Sequence, residues 1–438
     1  MTRTKSRLFF KNALLISVHS NKEPFISDVL VSQEGLISYV GREITEDAED
    51  ADRVIDATGK WLLPGFVSAH SHFWQSGFPG QASDKSVNEW SEAIYQPARN
   101  LTPQDIYTLT SQGAASHIRK GITTAFNFTY SPNFRDGLAD RAQFIAALDS
   151  GIRFVHGFNV GAVTPRWSNE QALARTKKFL EWASTVDTSG KYLGTMIANH
   201  GIIYRTDSSI HMEAEVMQKL NLHGHLHYLE SPRSQDIETE QSRWTWLRDA
   251  GLIDQRLIVG HFLHPTPSML REAAHAGVRM SWNPMSNGRL GSGIADIPEY
   301  LKKGLCIGLG VDGEASSDRC DPFENMRMGL YSTRGKYQDP SVLTTREVLY
   351  MHTLGAAKVL GIDEKVGSLE IGKQADMVLL DPPSSWKLDD PVSTLVLSAG
   401  VEDIRAVFVG GVEQWPHMST VHKDPTRLPE LAWTFSSK

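Results

Sequence analysis

Short apolar runs, separated by polar or glycine-containing turns, fill the first sixty residues of the chain. These runs are rich in Val, Ile, Leu and Phe and lie at residues 7–18, 28–32, 36–40 and 53–56. Runs of this length and composition between turn residues are typical of β-strands. The sequence therefore predicts a small β module in this part of the chain.

From about residue 63 the pattern changes to short apolar runs that alternate with longer stretches of helical spacing. Helices are predicted over residues 105–119 and 141–149. The apolar runs number eight: PGFVSAHSH, ITTAFNF, RFVHGFNV, YLGTMIANH, HGHLHYLE, LIVGHFLH, VRMSWNP and LCIGLGVDG. Alternating strands and helices predict an α/β fold, and eight strands are the number that a (β/α)8 TIM barrel needs. A doubly wound open sheet is the alternative architecture.

Strand-like runs return after about residue 357, in VGSLEIGKQADMVLLD and IRAVFVGGV. Chain termini commonly lie close together, so one domain can be inserted into another. We therefore predict a composite β-sandwich domain built from residues 1–63 and 364–438, with a barrel formed by residues 64–363 between them. The tail after residue 415 shows little periodicity.

The charge and the cysteine content of the chain limit the kinds of partner that we expect it to bind. The 438 residues include 44 basic and 51 acidic ones, which gives a net charge of −7 without long blocks of one sign. Nucleic-acid binding calls for a basic stripe, and attachment to an anionic membrane calls for basic clusters. Two cysteines do not make a disulfide framework, and no window approaches the ~18 apolar residues of a membrane span. We expect a cytoplasmic homodimer or homotetramer that binds a small molecule, without nucleic-acid or membrane partners.

Candidate chemistry begins with His70 and His72, which follow the apolar run over residues 61–67. Residues two apart in a strand face the same side, so both imidazoles can point into a barrel at its C-terminal mouth. Barrel enzymes keep their catalytic groups at that mouth. A His-x-His pair alone is a weak signal, because two incidental histidines give the same pattern.

A second cluster comprises His223, His225 and His227, with Glu230 three residues further on. At ~3.3 Å per residue, His223 lies ~13 Å below His227 along a strand. Only His227 is therefore expected to share a metal with the first pair, while His223 and His225 are expected to be hydrogen-bonded inside or below the barrel. Glu230 stands at an odd offset from His227, so it reaches the same face only if the chain turns after the strand.

His261, with His264 three residues on, and Asp312 follow two further predicted strands. Asp-Gly is a common turn dipeptide, so Asp312 in isolation means little. However, Asp312 stands at the end of a predicted strand, as the histidines do, and this shared placement makes it a candidate metal ligand. Three imidazoles and one carboxylate fit a mononuclear Zn²⁺ or Fe²⁺ site that leaves a position open for water. These ligand types do not decide between the two metals.

Seven stretches resemble the amidohydrolase superfamily. They are LLPGFVSAHSHFWQSG, GITTAFNF, HLHYLES, GHFLH, WNPMSNGRLGSGIADI, GLGVDGEASSDRCDPFENMRMG and VGSLEIGKQADMVLLD, in the family's order. They are most similar to the branch that holds atrazine chlorohydrolase, triazine hydrolase, and the S-adenosylhomocysteine/methylthioadenosine, guanine and 8-oxoguanine deaminases. The resemblance spans roughly residues 30 to 412 and implies a distorted (β/α)8 barrel with a composite β-sandwich.

The resemblance also implies roles for individual residues. The metal ligands that it implies are His70, His72, His227 and Asp312. Glu230 is implied as the general acid/base, and His261 as the residue that orients or polarises the attacking water. As a carboxylate beside that water, Asp312 can both bind the metal and accept the water's proton. His200 matches a fourth-strand histidine that contacts substrate in relatives. Residues 192–204 contain no lysine that could bridge two metals, so one divalent ion, zinc in preference to iron, is expected.

The substrate pocket is where the sequence departs from the branch. Phe78-Pro79-Gly80 stands where relatives often carry Arg-Gly, which argues against a strongly anionic group there, and residues 231–240 also differ. Phe73, Trp74 and Trp90 near the first barrel loop favour a planar substrate, although aromatic residues are also ordinary core residues. Gln75 matches a glutamine of the guanine and 8-oxoguanine deaminases. Trp74, Gln75 and His200 are the predicted substrate contacts.

Three functions compete at this stage. The first is hydrolytic deamination of an aminated heterocycle of the purine, pterin or triazine type. The second is hydrolysis of an amide, urea or carbamate, or removal of halide from an aryl or heteroaryl substrate. The third, a non-catalytic binding protein on the same fold, is the weakest, because every expected metal and acid position is filled.

Overall fold

The computed structural model describes residues 6–19, 23–42, 50–130, 137–160, 167–200, 207–386 and 389–416. The strands in these ranges are β1 (Leu8–Leu15), β2 (Phe25–Val31), β3 (Ile37–Gly41), β4 (Arg53–Asp56), β5 (Trp61–Pro64), β6 (Phe66–His72), β7 (Ile122–Phe128), β8 (Arg153–Phe158), β9 (Tyr192–Asn199), β10 (Gly224–Tyr228), β11 (Leu257–His261), β12 (Arg279–Trp282), β13 (Cys306–Leu309), β14 (Asp312–Gly313), β15 (Met377–Leu380), β16 (Ile404–Val409) and β17 (Val412–Trp415).

The α-helices in the same ranges are α1 (Val87–Ala98), α2 (Pro103–Arg119), α3 (Leu138–Ser150), α4 (Asn169–Thr185), α5 (Asp207–Leu220), α6 (Ser234–Asp249), α7 (Pro267–Ala276), α8 (Pro284–Arg289), α9 (Ile297–Lys302), α10 (Pro322–Tyr337), α11 (Thr345–Met351), α12 (Leu354–Leu360) and α13 (Pro391–Leu397). The two helices predicted from sequence correspond to α2 and α3. The start of α2 is encoded locally: Thr102 and Asp105 form a capping box, and Pro103 occupies the first turn.

Strands β6 to β14 form one parallel sheet in the order β13-β12-β11-β10-β9-β8-β7-β6-β14. The eighth barrel strand is split: β13 pairs with β12, and β14, two residues further on, pairs with β6. The ring of strands is closed by this split strand, which accounts for the distortion. The predicted distorted (β/α)8 barrel is confirmed, and the open doubly wound sheet is not observed in the described chain.

Strands from both ends of the sequence form the second sheet, in the order β17-β16-β15-β5-β1-β2-β3, with β4 paired to β1. Phe10 of β1 and Phe408 of β16 lie three strands apart in this order, about 14 Å in a flat sheet. Their ring centroids are only 5.1 Å apart. The sheet therefore curls back on itself around an apolar core, which gives the predicted composite β module its sandwich character.

The predicted strand VGSLEIGKQADMVLLD is shorter than expected, because only Met377–Leu380 is extended into β15. Gly367 and Gly372 in the preceding stretch adopt φ of 94° and 92°, a conformation that glycine tolerates and that interrupts a strand. The exact domain boundaries at residues 63 and 364 stay predictions. The predicted irregular tail falls, from residue 417 onward, outside the described residues.

A buried ion pair joins the barrel to the second sheet. Arg153 begins β8, and its Nε and Nη2 each lie 2.8 Å from a carboxylate oxygen of Asp376, which immediately precedes β15. Asp376 also accepts hydrogen bonds from Gly410 N and from Thr124 Oγ1. The pair lies at the N-terminal ends of the barrel strands, away from the mouth. None of the described helices combines the length and the apolar character that a membrane crossing needs.

Candidate metal centre and active site

Four predicted ligands converge at the C-terminal mouth of the barrel. His72 Nε2 lies 3.2 Å from His227 Nε2 and 3.4 Å from Asp312 Oδ1, and His70 Nε2 lies 3.5 Å from the same carboxylate oxygen. Zn–N bonds are about 2.0–2.1 Å, so two ligands in a tetrahedral site stand about 3.3–3.4 Å apart. The donor atoms therefore have the separations expected of residues that share one ion.

Hydrogen bonds at the opposite ring nitrogens prepare these imidazoles for a metal. His72 Nδ1 donates to the carbonyl of Phe128 at 3.0 Å, which leaves the lone pair on Nε2. His70 Nδ1 lies 3.0 Å from His225 Nε2, and within the described chain His70 Nε2 is buried without a hydrogen-bond partner. A buried nitrogen of this kind calls for a partner, and a divalent cation fits this donor set.

The other two histidines of the second cluster do not join the metal ligands. His225 is fully buried, contacts His70 and stacks on Phe126 with ring centroids 4.6 Å apart. His223 precedes β10 and is half-buried near Asp254 and Arg279. His264, whose role the sequence leaves open, lies outside the cluster, with Nε2 2.9 Å from the carbonyl of Ser292.

A turn brings Glu230 to the site, as the odd offset from His227 requires. Leu229 adopts a left-handed conformation with φ of 54°, and the Glu230 carboxylate then lies 3.6 Å from His261 Nδ1. His261 and Asp312 are themselves left-handed, with φ of 68° and 59°. Such conformations are unfavourable for residues other than glycine and concentrate at functional sites.

The surroundings of Glu230 and Asp312 shift the pKa values of these two carboxyl groups in opposite directions. Burial, together with the nearby Asp312 and Glu240 carboxylates, raises the pKa of Glu230 well above its ordinary value. Burial would also raise the pKa of Asp312, but the adjacent imidazole of His70, together with those of His261 and His72, outweighs burial and holds that pKa well below the usual range. Glu230 is thus suited to carry a proton, and Asp312 to remain a carboxylate.

Burial lowers the pKa of His261 to about 3, so its ring is neutral. Asn287 Nδ2 lies 2.8 Å from His261 Nδ1. With the amide nitrogen donating, Nδ1 accepts and the ring proton sits on Nε2. His261 can therefore offer one hydrogen bond from Nε2 to a group at the mouth of the barrel.

A cavity of about 690 Å³, part of it open to solvent, lies over these residues. The described residues that line it are His72, Gln75, Val87, Asn88, Trp90, Ser91, Tyr95, Tyr130, Asn199, His200, His227, Glu230, Ser231, His261 and Asp312. Two of the predicted substrate contacts, Gln75 and His200, are among them. Gln75 is only 1% exposed, and within the described chain neither atom of its amide has a hydrogen-bond partner.

Trp74, the third predicted substrate contact, is not among the described residues that line the cavity. It is fully buried and packs against Phe78 and Tyr95, with ring centroids 5.8 and 5.7 Å away. Residues Phe73–Gly77 form a 3-10 turn, which directs Phe73 and Trp74 into the protein and leaves Gln75 at the cavity. Trp90, another aromatic residue that the sequence places near the first barrel loop, does line the cavity, and its indole N–H donates to the carbonyl of Ala315.

Sequence reasoning missed several lining residues. Tyr130 follows Phe126 and Phe128 at the same period of two, so strand alternation could have pointed to it. Asn88, Ser91 and Tyr95 come from α1, whose position over the mouth no local pattern indicates. Of the two segments that depart from the branch, Ser231 lines the cavity, whereas residues 78–80 are not among the described lining residues.

An eight-stranded parallel barrel with a His/Asp cluster and a protonatable carboxyl group at its mouth defines a metal-dependent hydrolase. The profile described as "Amidohydrolase family" matches residues 61–413. The chain belongs to this family, and its His/Asp donor groups fit a divalent metal ion.

Relatives of two kinds match more than nine-tenths of the chain. A 5-methylthioadenosine/S-adenosylhomocysteine deaminase of Acetivibrio thermocellus is 29% identical over 415 residues, covering 92% of this chain and 93% of the relative. The fold matches a zinc-bound adenosine deaminase of Xanthomonas campestris, with a TM-score of 0.83, 23% identity, and 97% and 96% of the two chains covered. It also matches an atrazine chlorohydrolase of Arthrobacter aurescens complexed with zinc and atraton, with a TM-score of 0.82, 21% identity, and 97% and 98% covered.

Proposed function

We propose that the protein deaminates an aminated planar heterocycle of the purine, pterin or triazine type by hydrolysis, with one zinc ion per chain. The observation that carries the proposal is Gln75, a buried amide at the cavity whose two polar atoms lack hydrogen-bond partners in the described chain. An amide offers one donor group and one acceptor group, the pair that the edge of such a heterocycle presents. The deaminases among the relatives support the same reaction.

The reaction replaces an amino group on an sp² carbon with oxygen and releases ammonia. A divalent ion held by His70, His72, His227 and Asp312 would supply a water nucleophile at neutral pH. The Asp312 carboxylate accepts the proton of the attacking water, and Glu230 donates a proton to the ring or leaving nitrogen. His261 Nε2 stabilises the negative charge that develops on the attacking oxygen.

Aromatic side chains support a planar substrate. Tyr95, Tyr130 and His200 form a continuous wall of the cavity, with ring centroids 5.2 Å apart for the two tyrosines and 4.4 Å apart for Tyr130 and His200. Trp90 lines the same cavity. Such rings offer apolar faces to a flat molecule.

The structural match to the chlorohydrolase favours a second candidate, in which the same groups cleave an amide, urea, carbamate or carbon–halogen bond. A substrate panel separates the two. Aminated purines, pterins and triazines are assayed for ammonia, and ureas, amides and chlorotriazines for the amine or chloride released. Efficient turnover of ureas, amides or chlorides while every aminated heterocycle stays inert would reject the deaminase proposal.

The role of Glu230 has its own test. Glu230→Gln keeps the shape of the side chain but carries no exchangeable carboxyl proton, so turnover should fall roughly 10²–10⁴-fold, the usual contribution of general acid–base catalysis. Metal content, measured by elemental analysis, should stay at that of the wild type. Near-normal rates on the best substrate would remove Glu230 from the mechanism.

The proposal of a single zinc ion rests on two donor groups of the described residues that overlap at His70, and on β9, which contains no lysine that could bridge two metals. Elemental analysis of protein expressed without added metal should find one zinc per chain. Two ions per chain, or iron in place of zinc, would contradict this part of the proposal.

A further inference from the structure

The backbone turn between His227 and Glu230 sets the position of the proton-donating carboxyl group. Strand β10 ends at Tyr228, and strand alternation would direct Glu230 away from the face that carries His227. Leu229 reverses this direction through its left-handed φ of 54°. Leucine, unlike glycine, is disfavoured in that conformation, so something must hold the turn.

Glu240, in the helix that follows the turn, forms hydrogen bonds with two consecutive residues of the turn, Tyr228 and Leu229. Its carboxylate accepts a hydrogen bond from the backbone N–H of Leu229, and its backbone carbonyl accepts one from the hydroxyl of Tyr228. Glu240 lies in α6 and is only 2% exposed. Trp244, one turn further along the helix, packs on the ring of Tyr228 with centroids 5.6 Å apart.

The neighbouring strand fixes the other side of the same turn. Phe262 N donates to the carbonyl of Tyr228 at 2.9 Å, and Leu263 N donates to the carbonyl of Leu229 at 3.1 Å. The carbonyls of the turn are therefore held by the barrel itself. The Leu229 N–H, in contrast, donates to the side chain of Glu240. A substitution of Glu240 can therefore remove this one hydrogen bond and leave the hydrogen bonds of the carbonyls in place.

We propose that Glu240 is a positioning residue for the reaction, acting through the Leu229 N–H to hold the Glu230 carboxyl group beside His261. This inference rests on the proposed role of Glu230 in proton transfer. Glu240 does not line the cavity among the described residues and need not touch substrate. A buried carboxylate is costly unless it is hydrogen-bonded, and the Leu229 N–H supplies such a hydrogen bond to Glu240.

The test compares two substitutions of Glu240 in the full-length, metal-loaded enzyme. Glu240→Gln keeps an oxygen that can accept from Leu229 N–H, whereas Glu240→Met has similar size and no such acceptor. Glu240→Met should lower kcat about 10-fold, on the scale of one buried hydrogen bond, with little change in KM, and Glu240→Gln should restore most of kcat. Glu238→Met, an exposed site on the same helix, is the matched control.

Two readouts besides activity accompany the kinetics. Amide hydrogen exchange of the peptide that contains Leu229 should accelerate in Glu240→Met but not in Glu240→Gln, because only the first loses the acceptor. Metal content should be unchanged in both, because His227 precedes the turn. Unchanged exchange at Leu229, or equal kinetic losses in the Met and Gln variants, would overturn the proposal.

A double variant separates positioning from general damage. If Glu240 acts through Glu230, Glu240→Met should lower kcat no further in a Glu230→Gln background. The same fractional loss in both backgrounds would overturn the proposal. Wild-type turnover of Glu230→Gln would overturn the proposed role of Glu230 and this inference together, whereas an impaired Glu230→Gln beside a fully active Glu240→Met would overturn this inference alone.

Discussion

His223, His225 and His227 stand at alternate positions of one segment and meet three different environments. His227 faces the cavity and the ring of His72, His225 lies beneath the metal cluster against His70, and His223 precedes the strand. Distance along the strand, and not residue type, decides which imidazole can reach a metal. The period of two and the rise per residue contain that information, so the difference between His223 and His227 could be predicted.

His227→Ala should lose metal and activity together, because it removes one donor from the cluster. His223→Ala should keep both, since His223 lies before β10 and away from the other donors. Elemental analysis after dialysis against a weak chelator, with a substrate assay on the same samples, makes the comparison. Retention of a full complement of metal by His227→Ala would contradict the ligand assignment.

His225→Leu should weaken metal binding without abolishing it. The substitution removes the group that contacts His70 Nδ1, and loss of such an outer partner typically lowers metal affinity about 10–100-fold. Competition with a chromophoric chelator measures the change. His264→Leu, at a histidine outside the cluster, serves as control, and an equal loss in both variants would show that His225 has no specific role.

At the scale of elements, the alternation of strands and helices predicted the barrel because each strand is a separate apolar run. The convergence of the candidate ligands was predictable for the same reason, since parallel strands end at one edge. Trp74 is not among the described residues that line the cavity, and its contact with substrate stays a prediction. A 3-10 turn follows β6, and no pattern in FWQSG indicates which side chains it turns inward. Residues of α1 were missed because their approach to the mouth depends on tertiary packing.

Asp236 links α1 to the segment between β10 and α6, and both of these elements contribute residues to the cavity wall. Its Oδ2 accepts from Asn88 Nδ2 of α1 at 3.1 Å and from Ser231 Oγ at 2.7 Å, and both partners line the cavity. Asp236→Ala should raise KM about 10-fold, on the scale of one or two hydrogen bonds, with a smaller effect on kcat. Asp249→Ala, at the exposed end of the same helix, should leave KM unchanged. An unaltered KM in Asp236→Ala would mean that α1 is held over the cavity without this link.

At the scale of the molecule, the barrel and the curled sheet are joined by groups that no local pattern identifies. Arg153 and Asp376 stand 223 residues apart and pair within a buried interface. The sequence predicted a module assembled from both chain ends. It could not indicate which charged residues connect that module to the barrel, because the pairing depends on how the two sheets meet.

Asp376→Ala should destabilise the whole protein while leaving the site intact. It leaves the Arg153 guanidinium buried without its partner, and breaking a buried pair in this way costs about 3–5 kcal/mol. It also removes the acceptor for Gly410 N, at the turn between β16 and β17.

Lys303→Ala, which breaks the exposed pair with Glu299, is the control and should cost less than about 1 kcal/mol. Denaturant unfolding of the metal-loaded proteins, followed by circular dichroism, measures both free energies of unfolding. Because Arg153 begins its strand at the end of the barrel opposite the metal cluster, the folded Asp376→Ala variant should retain near-normal kcat. A loss of stability no larger than that of Lys303→Ala would show that the pair between Arg153 and Asp376 contributes no net stability to the contact between the two sheets.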